Sequence, residues 1–297
     1  MGTKTTAGTS FPTELVNEMF NAVQGHSALA KLSAQKPIPF NGETVFAFSA
    51  GGEASIVGEG ANKPAGDATV AAKVIRPVKF VYQHRVSDEF IGNAETKLDY
   101  LQTFADGFAK KIARGLDIAA MHGINPADLA DASFKATNSF DGLVTGNVVT
   151  YAAATVDDKI DAAVAQVIAD GGEVNGIAMS PTAGSALAAI KVNGVPQYPE
   201  YRFGSNPDAF YGMVSDVNGT VEVTGTATGS DTDHVIVGDF QNAFRWGYAK
   251  NIPLEVIEYG DPDGQGDLKR TNEVVLRAEA YIGWGILNAD AFARVKA

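Results

Sequence analysis

Cysteine is absent from the 297-residue chain. That excludes disulfides, a thiolate nucleophile and any Cys-ligated zinc, fits synthesis in a reducing cytosol, and leaves covalent reinforcement to other chemistry. No apolar run approaches the roughly 18 residues that cross a bilayer, so no membrane partner is expected. The opening Met1-Gly-Thr-Lys-Thr-Thr lacks the apolar core of a signal peptide. It matches the short N-myristoylation pattern at Gly2, but that pattern recurs by chance and no lipid is expected. Basic residues are scarce: 23 Lys and Arg against 35 Asp and Glu give a net charge of −12. The densest pair, Lys110-Lys111, falls inside an amphipathic helical pattern. A surface that neutralises phosphates needs clustered cations, so a nucleic-acid partner would be enclosed rather than gripped.

Catalytic patterns are equally sparse. The four histidines, His26, His84, His122 and His234, form no His-Glu-x-x-His arrangement, and structural roles are expected for all of them. His122 closes a helix, where a positive charge is favourable. Gly58-Glu-Gly60 lacks the third glycine and the following helix of a dinucleotide fingerprint. No Gly-Lys-Ser/Thr phosphate loop occurs, and Ser55 and Ser180 lack the glycines of a nucleophile elbow. Asp261-Pro-Asp263-Gly-Gln-Gly-Asp267 alternates carboxylates as calcium loops do, but its twelfth position is Asn272 rather than the bidentate Glu such loops use. A solvated turn between strands is the expectation there. Neither an enzyme nor a cofactor or metal site is expected.

What remains is a chain with 45% apolar residues, enough for a real core, and an organisation with no internal repeats. Residues 1–10 are small and polar. Leu15, Val16, Met19, Phe20 and Val23 have helical spacing, and a short second helix is expected over Ser27–Leu32. From Glu43 to Asp88 two alternating runs flank a tip rich in Gly, Ala and Pro, and are read as an extended two-stranded arm. Such an arm is marginal alone in water and needs a surface to lie on, most simply a neighbouring copy of the same chain. The longest helix runs from about Glu95 or Leu98 to Met121. Its apolar stripe is Leu98, Leu101, Phe104, Ala105, Phe108, Ile112, Leu116 and Ala119.

Between Pro126 and Gly247 strands and helices alternate. Thr155 and Asp158 offer a capping pair for a helix through Ile168. Ile177–Met179 reads as a buried strand, and Ser180-Pro181 starts a further helix. Val195–Gly212 is a long loop rich in Tyr and Pro. Val214, Val221–Val223 and Val235–Val237 read as strands, followed by Phe244–Tyr248, Leu254–Tyr259, Glu273–Trp284 and Phe292–Val295. The fold class is α+β with one segregated α/β insertion.

The order of these parts resembles the major capsid proteins of tailed bacteriophages with the Hong Kong 97 fold. The resemblance covers nearly the whole chain. It is carried by Glu59-Gly-Ala-Asn-Lys63-Pro64, Val86-Ser-Asp-Glu, Asp117-Ile-Ala-Ala-Met-His-Gly, Phe140-Asp-Gly-Leu143, Val237-Gly-Asp-Phe240, Val274-Val-Leu-Arg-Ala-Glu-Ala280 and Asn288-Ala-Asp-Ala-Phe-Ala-Arg. It implies an N-terminal arm (1–36), an extended loop (37–86), a peripheral domain with a spine helix (87–125), an axial domain (126–247) and further peripheral strands (248–297). It also implies a virion protein, made in the host bacterial cytoplasm, that assembles with copies of itself into hexamers and pentamers and encloses double-stranded DNA without sequence preference. Portal, separate scaffolding and decoration proteins would be its other partners. The 195–212 loop would meet its copies around the symmetry axes.

Some members of that family join subunits by an isopeptide bond. By motif, the resemblance puts the attacking amine on Lys63, the amide on Asn272 and the proton-accepting carboxylate on Glu279, and many relatives form no such bond. Two other functions are weighed against the capsid reading. One is an encapsulin-type bacterial nanocompartment shell of the same fold, which would hold protein cargo instead of DNA. The other is a soluble α/β enzyme or ligand-binding protein, which would need a convergent polar site.

Overall fold

The computed structural model describes residues 26–51, 55–60, 62–63, 65, 67–89, 94–226, 232–250 and 254–297. The helix read through Leu15–Val23 lies outside them. In chain order the elements are α1 (Ala28–Leu32), β1 (Glu43–Gly51), β2 (Asp67–Ile75), β3 (Pro77–Ser87), α2 (Ala94–His122), α3 (Lys135–Asn138), α4 (Phe140–Leu143), β4 (Val148–Thr150), α5 (Val156–Ala169), β5 (Gly176–Met179), α6 (Pro181–Ala189), β6 (Lys191–Val192), β7 (Val195–Pro196), β8 (Ala209–Phe210), β9 (Met213–Val217), β10 (Asp233–Gly238), β11 (Phe244–Lys250), β12 (Leu254–Ile257), α7 (Leu268–Thr271), β13 (Glu273–Ile286) and β14 (Phe292–Lys296). No helix among the described residues is long and apolar enough to cross a membrane.

The spine helix α2 buries Leu101, Phe104, Phe108, Ile112, Leu116 and Ala119, the stripe its 3.6-residue period demands. It stops at Gly123, whose φ of +62° suits glycine and whose N–H reaches back to the Ala119 carbonyl. A Cβ at Gly123 would also meet the Lys135 backbone at 2.6 Å. Beneath the helix lies a four-stranded sheet centred on β13. β3 flanks one side of β13, and β11 and β12 share the other.

This alters the reading of the arm. The alternating run through Asp88 is two strands, parted at Arg76 before Pro77, a residue that cannot donate to a ladder. β2 belongs to the ribbon, whereas β3 pairs with β13 over its whole length.

The second sheet has six strands in the order β4-β14-β10-β5-β9-β8. Ile177 and Met179 pack with α5 and α6, while Ala178, one residue out of phase, packs with the core under α2. A strand covered on both faces is apolar throughout, which explains why all four β5 residues are buried. The C-terminal strand β14 joins this sheet, so the segment read as peripheral strands ends in the α/β unit instead. α6 begins as expected: Ser180 Oγ accepts the Ala183 N–H at 3.0 Å and Pro181 takes the first helical position. Thr155, by contrast, makes no side-chain cap for α5. Val221–Val223 is not a strand. Val221 is a fully buried turn residue whose N–H reaches the Asn218 carbonyl.

Candidate functional site

Three features stand apart from ordinary core packing. The first is the ribbon β1–β2, paired residue for residue from Glu43 with Ile75 to Gly51 with Asp67. Alternation puts Thr44, Phe46, Ala72 and Val74 on one face, and Phe46 is 68% exposed and Val74 55%. Residues 55–60 at the tip are all exposed, Ile56 and Val57 among them, and so is Lys63. The root is firm. Ile75 is fully buried, seated where Gly283 and Gly285 of β13 carry no side chain, and a Cβ on Gly285 would meet Ile75 at 2.8 Å. Arg245 holds Glu43 at 2.9 Å beside it. The ribbon is thus anchored at its root and carries exposed apolar side chains, Phe46 and Val74, on one face beside it.

The second feature is the 190–212 region. It is not a plain loop: Asn193 and Gly194, both with positive φ, turn the β6–β7 hairpin, and a short 3-10 segment follows at Pro199–Gly204. An Asn-Gly pair between valines is a strong hairpin signal. Phe203 is fully exposed and sits at φ +60°, ψ 28°, a left-handed conformation that costs a non-glycine residue roughly 1–2 kcal/mol. Val192, Val195 and Tyr211 are exposed near it in sequence. The chain therefore spends strain to present an aromatic ring to solvent.

The third is a buried polar junction between the spine helix and the α/β unit. Asp117 of α2 is fully buried. It accepts hydrogen bonds from the N–H groups of Ala28 and Leu29, from Ser27 Oγ and, at 3.0 Å, from Thr220 Oγ1. Burial pushes its carboxyl up to about 6, against the pull of those donors. One turn on, His122 Nε2 lies 2.9 Å from the Thr220 carbonyl oxygen, and Nδ1 lies 3.4 Å from Asp141 Oδ2. Burial opposes charge on this ring, but the Asp141 and Asp233 carboxylates and the Thr220 carbonyl outweigh it and raise the His122 pKa.

Arg294 completes the cluster. It donates to both oxygens of Asp233, to Asp141 Oδ1 at 2.6 Å and to the carbonyls of Asp141 and Val144. His122, Asp141 and Asp233 bring three possible ligand atoms within 4.8 Å of one another, but the guanidinium already serves both carboxylates. The arrangement is a salt-bridge network with every strong donor matched to an acceptor.

The residues singled out from sequence are not brought together within one chain. Lys63 is at the ribbon tip. Asn272 is exposed, in the left-handed conformation that caps α7, and its carbonyl accepts the Asp88 N–H. Glu279 is engaged by Lys79 Nζ at 2.7 Å and by Tyr281 Oη. Seven extended residues part Asn272 from Glu279, about 23 Å at the usual rise per residue. In the 261–267 turn the carboxylates surround an organic cation. Arg85 Nε reaches Asp263 Oδ2 at 2.7 Å, and the same guanidinium contacts Asp261 and Glu273. Asp267 instead caps α7 through the Lys269 N–H. The junction around Thr220 was missed from sequence. Its one local signal is an Asp and a His inside the otherwise apolar Leu116-Asp-Ile-Ala-Ala-Met-His run.

The sequence matches the phage capsid family over residues 7–297. Among solved structures, one from Mycobacterium phage Ogopogo is 36% identical, with a TM-score of 0.79, covering 91% of this chain and 92% of that one. One from Gordonia phage Cozz is 28% identical, with a TM-score of 0.71 over 91% and 86%. The capsid of a native GTA particle shares the fold at 15% identity, with a TM-score of 0.61 over 91% and 89%. No curated protein matches.

Proposed function

This chain belongs to the phage capsid family and is a major capsid protein, a structural subunit of an icosahedral phage shell, and from that premise we propose how its copies meet and what they hold. Copies associate as pentamers and hexamers, and the β1–β2 ribbon of each lies over the next. The observation that carries this is the pair Phe46 and Val74, exposed together on one face of a two-stranded element whose root is anchored to the β13 sheet. Burying such a face on a neighbour supplies the stability two strands lack. The contact is head-to-tail, and repeated around an axis it closes a ring. The aromatic tip at Phe203 faces the same copies near the axis, so the unit built on the six-stranded sheet, β14 included, is axial and the β13 sheet with the spine helix peripheral.

The shell encloses double-stranded DNA in the virion, without the clustered cations of a gripping surface. The chain is made in the host bacterial cytoplasm, and its role is structural rather than catalytic. Portal, scaffolding and decoration proteins are its further partners. Electron microscopy of the expressed full chain tests the core of this reading: closed shells of uniform size are expected, and a protein that stays monomeric under all conditions would overturn it. Nucleic acid, not cargo protein, is expected inside shells purified from infected cells.

A finer proposal concerns Lys63. Its neutral amine would attack the Asn272 side-chain amide of another copy, forming a new amide and releasing ammonia, while Glu279, supplied by a different copy from the one that supplies Asn272, takes the proton. Glu279 would first have to leave Lys79. Boiling assembled shells in detergent decides: a ladder of linked subunits abolished by K63R supports the bond, and a single monomer band discards it.

A further inference from the structure

Both ring nitrogens of His122 face acceptors: Nε2 the Thr220 carbonyl and Nδ1 the Asp141 carboxylate. A neutral imidazole has one N–H and can serve only one of them, whereas imidazolium serves both. His122 is buried, closes the spine helix where a cation is favoured, and touches the turn that the α/β unit sends to that helix. We propose that His122 is a proton-dependent latch, holding the 218–221 turn and Asp141 on the end of the spine helix as imidazolium and letting the turn go when it loses its proton.

The surrounding groups fix the direction. From α4, Asp141 faces the ring, and it also receives Arg294 from β14. From β10, Asp233 lies near and is gripped by the same Arg294. From α2 itself, Asp117 holds the other side of Thr220 through Oγ1. The remaining charges nearby are turned away: Lys31 of α1 pairs with Asp208 and Asp216, and Lys135 of α3 with Asp131.

His122 is raised, so its contribution to the closed state is full below its free value of about 6.5 and is lost as pH rises through the raised value. Burial, with Asp141 adding to it, raises Asp233 despite Arg294. Asp233 therefore acts in the same sense as His122. Asp117 also does, but its effect is complete by about pH 6. Asp141 is the exception. Burial works against its charge, but the hydrogen bond and charge of His122, with Arg294, leave it lowered, and its share is lost only in stronger acid. The latch is therefore tightest in mild acid and loosens above neutrality.

The inference rests on the geometry of a single chain and not on shell assembly. Hydrogen exchange of the Thr220 and Val221 amides in the full-length protein, divided by intrinsic rates, reads opening directly. Opening in the native protein is expected to rise severalfold between about pH 6.5 and 8.5, because the raised His122 loses its proton as pH climbs. H122Q, which can keep the bond to the Thr220 carbonyl without titrating, is expected to lose most of that rise. D141N keeps the ring but removes its anion, and is expected to move the rise to lower pH. A native protein whose corrected exchange is flat across this range overturns the latch. So does an H122Q protein that keeps the full rise or, should H122Q not fold, a D141N protein whose rise stays in place.

Discussion

Lys79 and Glu279 form an ion pair across β3 and β13, with Nζ 2.7 Å from Oε1, although the residue directly opposite Lys79 is Tyr281. The contact is a diagonal one, within reach of a long side chain. It leaves Lys79 over the Tyr281 ring, which also packs edge-to-face with Phe40. The carboxylate that would serve as proton acceptor in any cross-link therefore already has a cation of its own chain. The pair lies at the surface, so its coupling in a K79M/E279Q double-mutant cycle should shrink as salt rises and vanish near 1 M, where the Debye length is about 3 Å. A coupling unchanged by salt would show the pair to be shielded in a way its exposure does not allow.

Phe140 is the best single probe of the main core. It is fully buried, with ring centroids of Phe240, Phe244 and Phe292 at 6.0, 5.7 and 4.9 Å. It sits at the start of α4, between the spine helix and β14. Truncation to Ala leaves a cavity bounded by three other rings. F140A should cost about 3–5 kcal/mol, as other Phe→Ala core changes do. The denaturation midpoint of the dissociated chain checks this, with the slope of the transition unchanged.

Acid should release the 261–267 turn before the sheet. Arg85 hydrogen-bonds to Asp263 and its charge holds that carboxyl down, to about 2. A lowered carboxyl adds stability above its free value near 3.8, and that share is lost as pH falls toward the folded value. Protease cleavage in the turn should therefore accelerate between pH 4 and 2 in the native protein, monitored with an acid-active protease. R85M should be cleaved readily at pH 5 already, with little further change on acidification.

The sequence carries local patterns well and non-local pairing poorly, and particular elements show why. The spine helix, the Ser180-Pro181 helix start and the buried β5 strand were legible because periodicity, capping and apolar runs are local signals. The run from Lys73 to Asp88 misled because two strands with the same alternation follow each other without a turn. Only the pairing of β3 with β13, about two hundred residues away, assigns them to different sheets. β14 is a short apolar run compatible with either sheet. The junction at Thr220 draws on Ser27, Asp117, His122, Asp141, Asp233 and Arg294, and no window of sequence contains more than two of them.

Phe203 allows assembly and folding to be separated. Its ring is fully exposed and its backbone is left-handed at φ +60°. Among the described residues its ring makes a cation–π contact with the neighbouring Arg202, and that contact does not require the left-handed backbone. Replacing it by glycine removes the backbone penalty of roughly 1–2 kcal/mol but adds about 0.5–1 kcal/mol of unfolded-chain entropy, so F203G should leave the stability of the dissociated chain within about 1 kcal/mol of the native value. If the ring anchors a contact around the symmetry axis, shell yield by sedimentation should fall steeply in the same protein. F203Y keeps an aromatic anchor and should restore most of it. Equal yields for native protein and F203G would show that the contact lies elsewhere on the α/β unit, and the strain at Phe203 would then need another cause.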